Sequence, residues 1–500
     1  MKKSILRIIA LLGIWGVVAM AQGAAPAVAP PKTVAQLQAR LQDILKETHV
    51  PGVSVAIVRA DGPEWIGAVG VRDVASGEPA DGDTLFRIGS TSKAFVSLSL
   101  LQLVEAGKVH LEDPVSQYLG DKWFQNRWEK DHPTLVVDLL EHTTGWDDMH
   151  FREYAKQAPG MSLAEGLDYD HTSRVARWRP GTRMAYCNSG LAVAALVVEK
   201  VTGQRFEDYV QANLFNPIGM TTATYFPPTG ANATVLYHED GKTPFPYWHI
   251  LLRPAGSINA SARDMAAYLS FYLHRGTVGS AQVISAAALD RMEVPTRTMS
   301  ARDGLTIGYG LSNYASIADG FVYHGHDGGV NGGLTEMSYL KEAGVGYFYS
   351  INSGNGAAFK KISDLMHAYV TQNLAKPAVP AAQPLPAFAH DYEGWYRPDS
   401  PRSQNMYFVE RIIGLTRARI DDGAFFVKPL TGASERYVTV EGRTLRRDEA
   451  DRADPVASLA LVTPTDEGRF IDFGFRGTWR QIPAWQVVAE LGGRSEEHTS

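Results

Sequence analysis

Cysteine is nearly missing from this chain. Cys187 stands alone among 500 residues, which excludes an internal disulfide and any cysteine-built zinc or iron–sulfur centre. A dominant charge is missing as well. The 48 basic residues face 54 acidic ones, and a net charge of −6 gives no reason to expect nucleic acid or an anionic membrane surface as a partner. No internal repeat is evident. Long hydrophobic runs are absent apart from one short stretch near the N-terminus.

That stretch carries information about location. Lys2, Lys3 and Arg7 precede an apolar run over residues 8–20 that ends at Ala19-Met20-Ala21. The run is shorter than the ~20 residues a membrane span requires. A basic head, a short apolar middle and an A-x-A end fit a secretory signal over residues 1–21. Residues 22–32 (QGAAPAVAPPK) then read as a flexible leader. The expectation is a secreted protein, exported to a bacterial periplasm.

What is present is ordinary globular material, 45% hydrophobic and 20% charged, enough for two or three domains. Residues 33–47 have helical apolar spacing, and two strands follow at 52–58 and 64–71 about a turn at Ala60-Asp61-Gly62-Pro63. Residues 109–250 lack strand alternation and carry helices at 191–201 and 206–214. A helix at 262–275 precedes strands at 320–324, 334–340 and 344–351, and a helix over 357–372 closes the unit. Strands at both ends around a helical insert predict an α/β domain over residues 33–375, with one sheet built from both chain ends and a helical lobe alongside. Residues 376–386 (KPAVPAAQPLP) form a proline-rich linker. Residues 387–490 read as a small all-β accessory domain, sandwich or barrel. The last residues, 494–500 (RSEEHTS), match the in-frame translation of a common sequencing adapter, although an ordinary polar tail has the same composition. On the adapter reading the natural chain continues past Gly493, and membrane association through a further segment stays open.

Three short motifs carry chemistry. Ser90-Thr91-Ser92-Lys93 opens a helix predicted over 91–106, and residues three apart on a helix share a face. The Lys93 amine can therefore act as base toward the Ser90 hydroxyl, and backbone N–H groups at the helix start can hold an oxyanion. Alone this is weak, since about one or two S-x-x-K matches arise by chance in a chain this long. Tyr186-Cys187-Asn188 offers a phenol able to shuttle a proton and an amide able to bind a substrate amide or hold the lysine. A loop tyrosine and a capping asparagine are the commoner meanings of such a pair. His326-Asp327-Gly328-Gly329 reads as a glycine-rich loop after strand 320–324, where a substrate backbone can approach and an exposed N–H can complete an oxyanion hole.

In this order, S-x-x-K then Y-x-N then H-x-G, the chain resembles the serine β-lactamase and penicillin-binding-protein family. The likeness is to the branch holding class C β-lactamases, D-alanyl-D-alanine carboxypeptidases and family VIII esterases, and it runs from about Leu37 to Tyr369. Leu139-Leu140-Glu141-His142-Thr143-Thr144-Gly145, Pro180-Gly181, Asn216-Pro217-Ile218-Gly219-Met220 and Pro254-Ala255-Gly256-Ser257 belong to it as well. The resemblance implies a β-lactamase/transpeptidase-like fold, an antiparallel sheet flanked by helices. It implies Ser90 as acyl-forming nucleophile, Lys93 as its activator and Tyr186 as general base and acid. Asn188, His326 and Gly328 would bind substrate, the N–H groups of Ser90 and Gly329 would form the oxyanion hole, and His142 and Gly145 would be structural. No metal and no cofactor are implied.

The third motif departs from the Lys-Thr-Gly usual in β-lactamases of this group. His326 is only partly cationic near neutral pH, and Asp327 adds negative charge beside it. The deacylating glutamate of class A enzymes has no recognisable counterpart. The expectation is a serine hydrolase acting on an ester or amide through a Ser90 acyl-enzyme, an esterase or D-amino-acid peptidase ahead of a true β-lactamase. Its partners would be small esters, β-lactams or D-amino-acid peptides. A catalytically silent homologue that binds peptidoglycan or peptides is the alternative from another class.

Overall fold

The computed structural model describes residues 30–230 and 232–491. The predicted signal at 1–21, most of the 22–32 leader and the 494–500 tail lie outside the described residues. The described residues divide into two units, one formed by residues 30–297 together with 309–376, the other by 298–308 together with 377–491.

The larger unit is built on a seven-stranded sheet. Its spatial order is Tyr314–Ala318, Phe321–Val330, Gly333–Leu340, Val345–Ile351, Gly52–Arg59, Gly62–Asp73 and Glu78–Pro79. Every pairing is antiparallel, and the two chain ends meet in the middle where Val53 stands opposite Ile351 and Val55 opposite Tyr349. The sequence GVSVAIVR of Gly52–Arg59 is apolar on both sides because both sides are covered. Val53, Val55 and Ile57 pack with Leu37, Leu41 and Leu45 of helix Val34–Thr48 and with Ile362 and Met366 of helix Gly356–Thr371. Ala56 and Val58 belong to the opposite core, with Met265 and Leu269 of helix Ala262–Leu273. Thr33 caps the first helix by accepting the Gln36 N–H at 3.3 Å.

The helical lobe holds the helices Lys93–Glu105 and Asn188–Thr202 at its centre. Both are apolar nearly all round, and both are buried nearly all round. The helix predicted over 206–214 is regular only over Phe206–Val210; residues 211–215 widen into a π turn before the short helix Asn216–Ile218 with its proline.

The strand predicted over 320–324 runs on to Val330, so His326-Asp327-Gly328-Gly329 is not a loop. Residues 324–330 pair with 333–339 of the next strand, and the two-residue turn Asn331-Gly332 fixes that register. Aspartate and glycine have low strand propensity, which hid this half of the strand from the sequence.

In the smaller unit eight strands close into a barrel. Glu435–Glu441 pairs on one side with Ala424–Pro429 and on the other with Thr444–Glu449, which joins the two ends of the strand order. Phe425, Tyr437, Leu459, Leu461 and Ile471 fill its core. Thr298–Gly308, from the middle of the chain, groups with this unit: Met299 packs with Val462 and Phe470, and the Asp303 carboxylate accepts from the Thr463 N–H and hydroxyl. No helix among the described residues is long and apolar enough to cross a membrane.

Candidate active site

Ser90 lies in a 3₁₀ turn, Gly89–Ser92, that leads into helix Lys93–Glu105. In a 3₁₀ turn residues i and i+3 eclipse, so Ser90 and Lys93 are aligned more closely than on an α-helix. Lys93 Nζ donates to Ser90 Oγ at 2.9 Å and to the Ala255 carbonyl at 2.6 Å. Lys93 is fully buried, whereas Ser90 is half-exposed and open to a molecule from solvent. The turn is pinned from below: Ser92 Oγ donates to the Gly89 carbonyl and the Ile88 N–H to the Ile258 carbonyl.

Gly89 has φ +55°, and a Cβ there would stand 2.6 Å from the Gly329 nitrogen. This close approach brings the Ser90 turn against the strand carrying the third motif. Thr91 Oγ1 also donates to the His326 carbonyl at 3.2 Å. Strand Tyr314–Ala318 pairs only with residues 321–325, which leaves the outer edge of 326–330 without a strand neighbour. The Gly325 N–H donates to Asn313 Oδ1, on that outer side. Two-residue alternation then turns the N–H groups of Asp327 and Gly329 to the same edge. The Gly329 N–H thus faces the Ser90 turn, where the sequence puts one half of an oxyanion hole.

Tyr186 immediately precedes Cys187, the cap residue of helix Asn188–Thr202. Lys93 Nζ lies 4.9 Å from the centre of the Tyr186 ring. His142 fixes the tyrosine's backbone, since its carbonyl accepts from the Ala185 N–H and its Nδ1 from the Cys187 N–H. Its ring stands between Tyr186 at 4.3 Å and Tyr309 at 4.5 Å. The neighbouring Glu141 and Asp138 are buried and hold residues 296–297: Glu141 accepts from the Thr296 and Arg297 N–H groups, Asp138 from Arg297 Nε. Asn188 is the first helical residue rather than the cap. Its Nδ2 donates to both Asp148 oxygens, at 3.0 and 3.1 Å, which leaves Oδ1 as its group for a substrate N–H or a lysine.

His326 is buried beside these groups. Its Nδ1 meets the Asp327 carbonyl, which can only accept, so Nδ1 carries the proton. Nε2 then accepts from the Tyr309 hydroxyl at 2.7 Å. Burial, with the Lys93 charge nearby, pushes the His326 pKa down to about 3. The imidazole is therefore neutral at pH 7 and supplies no cation where the lysine of Lys-Thr-Gly would. Its proton is bound by the unfolded chain alone between pH 6.5 and about 3, so its contribution to stability is full above pH 6.5 and falls with pH below it. A His326→Gln chain is expected to lose melting temperature less steeply than the parent between pH 6.5 and 4; equal slopes in thermal unfolding would refute the buried neutral imidazole.

Tyr309, Asp148 and the Ala255 carbonyl were not singled out by the sequence. Tyr309 sits in Gly308-Tyr309-Gly310, a tyrosine between glycines, which is a faint cue; Asp148 and a backbone carbonyl leave none. As for metals, His150, Glu153 and Asp170 bring possible ligand atoms within 4.8 Å of one another. Each is already engaged: His150 with Asp147, Glu153 with the His150 N–H, and Asp170 with Thr172 and Arg152. Burial raises the Glu153 pKa to about 7, which disfavours the anion a metal would need.

The family model described as Beta-lactamase matches residues 37–370. Penicillin-binding protein 4 of Amycolatopsis lactamdurans is 27% identical over 386 residues, 72% of this chain and 97% of that protein. Esterase EstB of Burkholderia gladioli is 28% identical over 222 residues, 42% of this chain and 56% of the esterase. Among solved structures, the octameric penicillin-binding protein homologue from Pyrococcus abyssi superposes with a TM-score of 0.58 at 20% identity, covering 89% of this chain and 99% of that one. With the family model spanning well over half of its length, and its fold the one that family implies, the chain belongs to the β-lactamase family of serine hydrolases.

Proposed function

We propose that this protein hydrolyses an ester or a D-amino-acid amide through an acyl-enzyme on Ser90. The observation that carries the reading is the 2.9 Å contact between a fully buried Lys93 amine and the half-exposed Ser90 hydroxyl. With Lys93 in its neutral amine form, Ser90 Oγ attacks the substrate carbonyl as its proton passes to the Lys93 nitrogen, and the oxygen anion that forms is held by the N–H groups of Ser90 and Gly329. Tyr186, against which the lysine lies, delivers the proton to the departing alcohol or amine. Water then attacks the acyl-Ser90 ester, gives its proton back to the same pair and releases the acid.

Two features favour esters and amides over β-lactams. The neutral His326 offers no positive charge to a β-lactam carboxylate, and Asp327 beside it, its pKa pushed up to about 7 by burial, supplies none either. The similarity to an esterase over 42% of the chain agrees with this. The basic, apolar and A-x-A pattern of the first residues supports export to the periplasm. The test is covalent. A fluorophosphonate is expected to add one adduct mass to the peptide containing Ser90 at neutral pH, and p-nitrophenyl esters to turn over faster than nitrocefin. No adduct with any acyl donor or fluorophosphonate would favour a silent binding homologue; nitrocefin outpacing the esters would favour a β-lactamase.

A further inference from the structure

A cavity of about 200 Å3 lies in the larger unit, and one of its lining residues has no evident business there. Arg87 is 4% exposed and forms no ion pair among the described residues. Its Nη1 donates to the Trp248 carbonyl and its guanidinium stacks over the Tyr247 ring at 4.5 Å, both residues of the same cavity wall. Its Nε and Nη2 have no hydrogen-bond partner. These two nitrogens make up one edge of the guanidinium, the edge that grips a carboxylate with two parallel hydrogen bonds.

Arg253 on the same wall shows the contrast. Its Nε meets Glu207 at 2.6 Å and its Nη1 the Met161 carbonyl, so its charge is compensated. Two further donors of the cavity are unengaged as well: Ser257 Oγ and the Tyr225 hydroxyl, on residues that are 2% and 3% exposed. An unpaired buried cation and two unpaired buried hydroxyls in one cavity are costly to fold, and such groups are retained where a ligand answers them. The rest of the wall, with Phe226, Pro227 and Trp248, is apolar apart from His249.

Two residues of the cavity wall lie close along the chain to the residues of the Ser90 site. Arg87 is three residues before Ser90, and Ser257 is two residues after Ala255, whose carbonyl holds Lys93. Between them Gly256 packs on Gly89, with an added Cβ only 3.6 Å from the Gly89 carbonyl carbon. We propose that this cavity is a specificity subsite for a carboxylate carried on the substrate, gripped by Arg87 through Nε and Nη2 with Ser257 and Tyr225 as supporting donors, while the chain linking it to the scissile bond lies on Phe226, Pro227 and Trp248. The substrate class is then an ester or amide of a dicarboxylic acid. This deepens the acyl-enzyme reading and rests on it for turnover.

The test compares mono-p-nitrophenyl glutarate with p-nitrophenyl valerate, acyl chains of equal length ending in a carboxylate or a methyl. The parent chain is expected to prefer the glutarate ester in kcat/KM, and Arg87→Met to lower the glutarate-to-valerate ratio by about 100-fold, as truncation of one partner of a buried charge pair does. Tyr225→Phe combined with Ser257→Ala should lower that ratio by about tenfold, and decides the matter if Arg87→Met fails to fold. A ratio unchanged in a variant that still reacts with fluorophosphonate overturns the subsite. Binding of free glutarate to the full-length Ser90→Ala chain, followed by calorimetry, is independent of catalysis. Binding that vanishes with Arg87→Met upholds the carboxylate site even if no ester is turned over, in which case it is the acyl-enzyme reading that has failed. Binding with an unchanged ester ratio shows a site for a free acid and overturns the substrate subsite.

Discussion

A Lys93→Met chain is expected to keep its fold and lose kcat/KM for p-nitrophenyl esters by about 10³–10⁴-fold, near the upper end of what proton transfer by a placed side chain contributes. Methionine fills much of the same buried channel without the amine, so substrate binding and KM should change little. The reaction with fluorophosphonate should slow in parallel, because that reagent also needs an activated Ser90 oxygen. The Ala255 carbonyl loses the donor now at 2.6 Å, a cost of about 1–3 kcal/mol, while the burial of a polar head is relieved. Thermal unfolding therefore separates the two effects: a small change in melting temperature with a large loss of kcat means lost chemistry. A variant that kept a tenth of the parent's kcat would sink the role given to Lys93, and Tyr186 would become the better base.

The motifs that suggest chemistry were easier to read than the residues that hold them in place. S-x-x-K is legible because two functional side chains sit on one local element, and the 3₁₀ turn at Gly89–Ser92 only tightens the expected alignment. The two-ended sheet was legible because strands covered on both faces are continuously apolar, as GVSVAIVR is. The strand His326–Val330 was not, since its pairing depends on residues 333–337 and on the fit of Gly328 against another segment rather than on propensity. Nor was the Tyr309–His326 hydrogen bond, which joins residues 17 apart across a strand reversal and in which Nε2 accepts because the Asp327 carbonyl holds the proton on Nδ1. Asp148, 40 positions from Asn188, occupies the amide nitrogen that the sequence left open for substrate. The grouping of Thr298–Gly308 with the barrel was hidden for the same reason, since nothing in a dozen residues announces which distant core they will join.

Gly328→Ala is the second substitution expected to be severe, and it adds only a methyl group. A Cβ at 328 would stand 1.9 Å from the Ile88 carbonyl oxygen, 2.8 Å from its carbon and 3.2 Å from the Ser90 nitrogen. All three atoms are backbone, so no side chain can swing away. The strand and the nucleophile turn must part by roughly an ångström, a displacement able to cost about 10²-fold in rate on its own. Because the Ser90 and Gly329 N–H groups lie on the two parting segments, the oxyanion loses one donor as well, worth about 10²–10³-fold. A fall in kcat/KM of about 10³-fold is expected, since the two losses share one cause and do not multiply in full, and overpacking should take about 1–3 kcal/mol of stability. The adjacent Gly329→Ala is the informative comparison. Its Cβ would meet only Leu334 Cδ2, at an ordinary 3.7 Å, and the substitution keeps the N–H, so it should cost far less. If the two variants lost ester hydrolysis equally, the close seating of Gly328 on Ile88 would not be what holds the oxyanion donors together. If only Gly328→Ala failed, and did so with slowed fluorophosphonate labelling at temperatures where the chain remains folded, the distance between those two backbone segments would be a determinant of the rate.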